Sequence, residues 1–412
     1  MGKERTYNIG SVLEKKCRGI KPVDILVGVL CKNVETTILH VLNVVNEGLY
    51  GYFPEYKKAV VVSVGSPPGT DRTFELAEMF QPYNSIAKIV TEDIHGKGKG
   101  AGIRTVLEIA YHLDAKIVVL VDGDLLSIRP KWIESITGPI LYGRADLTIP
   151  YYIRHKYDGV ITNILAYPFT RALYGVDIRQ PIAGEFGLSK TLYEKLLNHP
   201  LFPYDFGVDI FIVTVAAAEG FMPKESLFTI KIHESTTRYL EPEKLLIPMF
   251  RQVTGKMFEL AYYYENIWRH RERRGRNGFY QESFGQKPIP VKVDIKKLEK
   301  NFKHDVMNLR DVIQHFLPEG ILKGLEETTK DITKFDADLW AKIVYNFAAS
   351  YKLLRESADR GVLVEALKPL WLGRFVSYAI EVKDMEVNEA EKVIHHQAEV
   401  FEDNFDYLVS IY

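Results

Sequence analysis

Four short apolar runs rich in β-branched residues, each separated from the next by a stretch of helical spacing, constrain this chain more than any other feature. The runs are Val23–Leu30, Ala59–Val64, Ala87–Thr91 and Ala115–Val121. Ile38, Val41, Leu42 and Val45 recur on one helical face between the first two runs. Further helices are expected over Phe74–Phe80 and Ile103–Leu113, with a turn at Gly65-Ser66-Pro67-Pro68-Gly69. Unbroken Val, Ile and Leu, as in Ala115–Val121, suit strands buried on both faces. The order predicts an α/β fold with a doubly wound, mostly parallel sheet, whose ligands gather at the carboxyl ends of the strands.

Beyond about Glu241 the period changes. Leu245, Met249 and Val253, and later Trp340, Ile343, Val344, Phe347 and Tyr351, fall at helical spacing, with a loop expected over Arg271–Pro290. Two domains are therefore expected, an α/β catalytic domain over residues 1–240 and an all-helical domain over 241–412. At 412 residues the chain is long enough for both. A formal net charge of −1 provides no global field for nucleic acid or an anionic membrane. No apolar run approaches the roughly 18 residues that span a bilayer, and Cys17 and Cys31 belong to no metal-binding pattern. A soluble, cytoplasmic protein is expected, and the apolar helical region suggests a homo-oligomer.

The strongest chemical signal is Asp122-Gly123-Asp124, directly after the fourth apolar run. Two carboxylates two residues apart at a strand's carboxyl end can reach one Mg²⁺ or Mn²⁺ ion and leave coordination positions for phosphate oxygens. D-G-D is also ordinary turn chemistry. Upstream, His95-Gly96-Lys97-Gly98-Lys99-Gly100-Ala101-Gly102 opens a helix. Its glycines permit backbone to approach a diphosphate, and Lys97 or Lys99 supplies charge at the helix N-terminus. A plain flexible loop is the alternative. Downstream, Gln180-Pro181-Ile182-Ala183-Gly184-Glu185 and Tyr204-Asp205-Phe206-Gly207-Val208-Asp209 place Glu185, Asp205 and Asp209 where carboxylates can grip sugar hydroxyls or move protons. Asp209 could equally cap a helix. His233, after a β-like stretch, is a candidate third metal ligand, although a lone histidine is more often merely hydrogen-bonded. Arg154, Asp158 and Thr162 would share a helical face if Tyr152–Ile164 is helical. Arg154 would suit a carboxylate and its two neighbours hydroxyls; otherwise Arg154 and Asp158 form a surface ion pair.

These motifs, in this order, resemble those of retaining GT-A glycosyltransferases that make glycosylated glycerate solutes: the mannosylglycerate synthases and, more distantly, the glucosyl-3-phosphoglycerate synthases. G-K-G-x-G at Gly96–Gly100, D-x-D with Pro130 and Trp132 beyond it, Gln180–Glu185, Gly207–Asp209 and the His233 region carry the resemblance, over roughly Asp24–Tyr239. It implies a GT-A fold, retention at the anomeric carbon, and a divalent metal held by Asp124 and His233. It also implies a GDP- or UDP-sugar donor, with Asp122 toward the ribose, Lys97 at the donor end, and Gly184, Glu185 and Asp209 lining the sugar. Arg154, Asp158 and Thr162 match the spacing of the family's glycerate-binding residues, which implies a small acidic acceptor. An inverting enzyme acting on a polyprenyl phosphate, a sugar nucleotidyltransferase and a non-catalytic nucleotide-binding protein remain alternatives.

Overall fold

The computed structural model describes residues 7–67, 69–234, 242–271 and 286–412. Most of the expected loop over Arg271–Pro290 lies outside them. The strands are β1 (Ile25–Cys31), β2 (Lys58–Val64), β3 (Ile86–Glu92), β4 (Ile117–Asp122), β5 (Leu147–Ile153), β6 (Phe186–Ser189) and β7 (Pro223–Ile230). They form one sheet of order β3-β2-β1-β4-β6-β5-β7. Parallel pairing joins β3, β2, β1 and β4, while β6 runs antiparallel between β4 and β5. The expected doubly wound, mostly parallel sheet is present.

The four apolar runs are the four parallel strands because they are the segments that both layers of helices cover. Ile25, Val27, Val61, Val119 and Leu120 are fully buried, and each such side chain stabilises the fold by roughly 1.5–3 kcal/mol. The helices Ile38–Tyr52 and Pro130–Leu141 pack together, Gly48 allowing Ile133 to approach. The helix Lys99–His112 lies directly on β1, where a β-carbon at Gly28 would come within 2.4 Å of Val106. Chain order reverses between β1 and β4, so the crevice beyond their carboxyl ends is the place such a sheet offers a ligand. Register pairs Leu30 of β1 with Asp122 of β4 at that edge.

The molecule divides into two compact units, residues 1–152 with 183–242, and residues 153–182 with 243–412. Segment 153–182, expected in the first domain, thus belongs to the second unit. The reason is side-chain chemistry that pattern alone does not reveal. Trp340 Nε1 donates to the Ile164 carbonyl at 2.6 Å, and Arg179 is buried against Glu391. Around them stand the helices Ile295–Asn308, Glu319–Lys330, Ala337–Leu353, Ser357–Glu381 and Val387–Asp403. Phe250 stacks on Trp371 at 4.4 Å between centroids. Among the described residues, no helix is long and apolar enough to cross a membrane. Cys17 and Cys31 are free and buried.

Candidate active site

Asp122 is the last residue of β4, and the turn after it is held on both sides. Gly123 N donates to the Leu30 carbonyl at 2.8 Å, and Thr37 Oγ1 donates to the Gly123 carbonyl at 2.8 Å. On the other side Glu234 N donates to the Asp124 carbonyl at 3.0 Å, and Leu125 forms a bridge with His233. This pairing brings His233 Nδ1 to 3.5 Å from Asp124 Oδ2. Two neighbouring ligands, each about 2.1 Å from a divalent ion, lie about 3 Å apart, so this carboxylate and imidazole suit one ion. No group of three or more His, Cys, Asp or Glu among the described residues forms a metal cage of its own.

Behind Asp122 lies a ring of buried charge. Lys99 is the first residue of its helix, and its Nζ lies 3.2 Å from Asp122 Oδ1 and 3.3 Å from Asp209 Oδ2. It also donates to the Gly184 carbonyl at 3.4 Å. Burial works against its charge, but Asp122, Asp209 and Glu185 outweigh that cost and raise its pKa, so Lys99 stays an ammonium. Lys231 Nζ reaches both oxygens of Glu185 at 2.8 Å and the Ala183 carbonyl at 2.9 Å, and lies 3.6 Å from Asp122 Oδ2. Tyr152 donates to Glu185 Oε2 at 2.7 Å. Burial pushes the Glu185 carboxyl up to about 7, with Lys231 pulling the other way. Burial also raises Asp209, against the pull of Lys99. Asp209 Oδ1 is buried with no hydrogen-bond partner among the described residues, an acceptor placed where a donor is needed.

Gly184 closes the ring in a backbone conformation that favours glycine. Its φ is +102°, and a β-carbon there would lie 2.8 Å from Asp122 Oδ2 and 3.0 Å from Lys231 Nζ.

Asp122, Asp124, Gly184, Glu185, Asp209 and His233 are therefore brought together. Lys97 is exposed; Lys99, two residues on, occupies the position in the ring. The expected helix began at Ile103, whereas the real one begins at Lys99 with Gly98 before it, and this offset moves the cation. The glycines of this loop serve a neighbour in the protein. A β-carbon at Gly98 would come within 2.2 Å of the Tyr204 carbonyl oxygen, and one at Gly100 within 2.1 Å of that of Pro203. Asp209 sits inside the helix Val208–Ala218 rather than at its cap, which is Gly207. Asp205 accepts from Gly207 N at 2.8 Å and shapes that turn. Lys231 went unrecognised as a site residue, although two-residue alternation puts it on the same side as His233.

The expectation of a helical face for Arg154, Asp158 and Thr162 is corrected. Tyr152 and Ile153 end β5, Arg154 and Asp158 lie in the turn that follows, and Thr162 begins a π-helical turn, Thr162–Ala166. For Arg154 and Asp158, proximity survives without the helix. Arg154 Nη1 meets Asp158 Oδ2 at 3.1 Å, and its Nε donates to Gln180 Oε1 at 3.1 Å. With side chains only 18% and 19% exposed, the pair is half-buried rather than a surface pair.

No family model matches the sequence. Over 193 residues the chain is 28% identical to the glucosyl-3-phosphoglycerate synthase of Petrotoga mobilis. That match covers 43% of this chain and 56% of the relative, so the chain spans a little over half of that protein's length. The relative is one of the two kinds of synthase that the motifs resemble. Among solved structures, the glucosyl-3-phosphoglycerate synthase of Mycobacterium tuberculosis with Mn²⁺, uridine diphosphate and glucosyl-3-phosphoglycerate superposes with a TM-score of 0.46 at 22% identity, covering 63% of this chain and 86% of that one. The mannosyl-3-phosphoglycerate synthase of Rubrobacter xylanophilus gives 0.46 at 19% identity, covering 65% and 83%.

Proposed function

We propose that this chain is a retaining, metal-dependent GT-A glycosyltransferase. It moves glucose or mannose from a UDP- or GDP-sugar to glycerate, phosphoglycerate or a similar small acidic acceptor. The observation that carries this reading is the ring of Asp122, Glu185 and Asp209 around Lys99 and Lys231, beside the Asp124–His233 pair. With Glu185 ionised, the four carboxylates exceed the two ammonium groups by two charges, the complement of one divalent ion. The similarity to the Petrotoga mobilis enzyme supports the reaction class.

Asp124 and His233 would hold the ion, whose chemistry there is to neutralise charge growing on the leaving diphosphate. Lys99, fixed at the start of its helix, adds a second positive charge at that end of the crevice. Glu185, fully buried against Lys231 and Tyr152, would fix Lys231 in the ring, and the open oxygen of Asp209 would accept a hydrogen bond from a sugar hydroxyl. The sugar passes through an oxocarbenium-like state, as in glycoside hydrolysis. Attack by the acceptor hydroxyl on the face the diphosphate leaves retains configuration. Arg154 and Asp158 would receive the acceptor's carboxylate and hydroxyl. The two free cysteines suit a reducing cytoplasm, and the exposed Tyr262, Tyr263 and Ile267 suit self-association of the helical region.

A panel of GDP- and UDP-sugars against glycerate, 3-phosphoglycerate and no acceptor tests the proposal, with product NMR. An α-glycoside and free nucleoside diphosphate are expected. A β-product would point to an inverting enzyme, and pyrophosphate release to a nucleotidyltransferase.

A further inference from the structure

We infer that Glu391 and Gln397, on the helix Val387–Asp403, are positioning residues for acceptor use, acting through Arg179 and Asn163 on the turn that carries Arg154 and Asp158. This rests on the reading that the turn receives the acceptor.

Between the end of β5 at Ile153 and the helical turns that begin at Val160, the chain has no regular structure to hold it. Side chains do so instead: Lys156 Nζ donates to the carbonyls of Val382, Lys383 and Met385 and Tyr378 to that of Lys156 at 3.0 Å, and a second set of bonds converges on Asn163. Its Nδ2 donates to the Asp158 carbonyl at 2.8 Å, its Oδ1 accepts from Arg179 Nη2 at 2.8 Å, and its own carbonyl accepts from Gln397 Nε2 at 3.0 Å. Asn163 is buried, so each of these bonds counts against a costly unsatisfied group. Asp158, anchored through its backbone, turns one carboxylate oxygen to Gly159 N at 2.7 Å and the other to Arg154. The position of the Arg154–Asp158 pair is thereby tied to Asn163.

Of the two groups that hold Asn163, Arg179 is fixed by Glu391 of the helix Val387–Asp403, and Gln397, on that same helix, by Arg374 of the helix Ser357–Glu381. Arg179 donates through Nε and Nη2 to the two oxygens of Glu391, at 2.5 and 3.1 Å. Burial would raise the Glu391 carboxyl, yet Arg179 and His395 hold it far below the usual carboxylate range, so the pair stays charged. Gln397 cannot turn over. Arg374 only donates, and its Nε at 2.8 Å claims Gln397 Oε1, which leaves the amide nitrogen to face the Asn163 carbonyl. A buried ion pair and a buried amide of this kind are weak devices for stability, which well-packed apolar side chains supply as well. What they give this region is one defined position for the turn.

The test compares acceptor and donor kinetics of the full chain for Gln397→Glu, Glu391→Gln, Arg154→Ala and, as a control on the same helix, the exposed His396→Ala. Gln397→Glu keeps an oxygen for Arg374 and loses the donor to Asn163. It should raise the acceptor KM about tenfold or more, with donor KM and kcat at saturating acceptor within about twofold and the His396 variant unchanged. Amide hydrogen exchange should quicken over residues 154–163. Should Gln397→Glu fail to fold, Asn163→Asp breaks the link to Asp158 while keeping an oxygen for Arg179, and the same KM rise is expected. Arg154→Ala raising the acceptor KM while the helix variants do not would overturn the positioning role alone. An unchanged acceptor KM in Arg154→Ala would overturn the acceptor reading and this inference with it. Equal losses in donor and acceptor terms would show general damage and also overturn the inference.

Discussion

Glu185 and Lys99 show what burial does to single groups in this site. A carboxyl raised to about 7 from 4.5 binds its proton more tightly in the folded chain than in the unfolded one. The stability it contributes is therefore fully present below about 4.5 and is lost as pH rises through about 7. In metal-free urea unfolding, the wild type should lose on the order of a few kcal/mol relative to Glu185→Gln between pH 4.5 and pH 8. An unchanged difference between the two proteins across that range would show that Lys231 fully compensates the buried charge. Lys99 and Lys97 make a second, sharper pair. Lys99→Met removes the cation between Asp122 and Asp209 and should lower kcat at least about a hundredfold, whereas Lys97→Ala should stay within about twofold. Equal effects in the two variants would return the loop to the role its sequence first suggested. The alternating lysines were legible as a cationic loop. Which one turns inward was not, because that depends on where the helix begins.

At the scale of elements, the site is assembled by two close backbone approaches. The helix carrying Lys99 meets residues 203–205, Gly100 N donating to the Asp205 carbonyl at 3.2 Å and Ala101 N to that of Tyr204 at 3.1 Å. Gly100→Ala places a methyl 2.1 Å from a carbonyl oxygen. That helix start must then shift and carry Lys99 with it. A lower Tm is expected, with a loss of kcat larger than the loss of folded protein explains. Full activity in a folded Gly100→Ala variant would mean that the approach has no bearing on the site. The second approach joins residues 125–127 to 232–233, where Leu126 N donates to the Ile232 carbonyl at 2.8 Å. It sets His233 beside Asp124, a contact between residues more than a hundred positions apart.

On the scale of the whole molecule, the α/β unit supplies the charged ring and the metal-ligand pair, and the helical unit has its own aromatic core. Activity should vanish on chelation and return with Mn²⁺ or Mg²⁺. Asp124→Ala should abolish transfer while Tm stays within a few degrees, since its side chain is partly exposed at the crevice. Full turnover in excess chelator, with residual metal measured as negligible, would remove the metal from the proposal. The chain's division is discontinuous, and this explains why a single boundary near residue 240 did not describe it. Residues 153–182 carry no change of period or composition. Their place is decided by Trp340, Glu391 and Gln397, far along the chain.

Local pattern determined the parallel core, the position of Asp122 and Asp124 at the end of β4, and the helical character of the region after residue 241. Each depends on period, apolar continuity and strand ends, which neighbouring residues alone establish. Tertiary structure decided which carboxylates are paired and with whom, that Lys231 belongs to the site, and that Arg154 and Asp158 meet in a turn rather than on a helix. These are matters of long-range contact and desolvation. The electrostatic energy of a lysine or a glutamate depends on what lies within a few ångströms of it in space, whatever its neighbours in the chain.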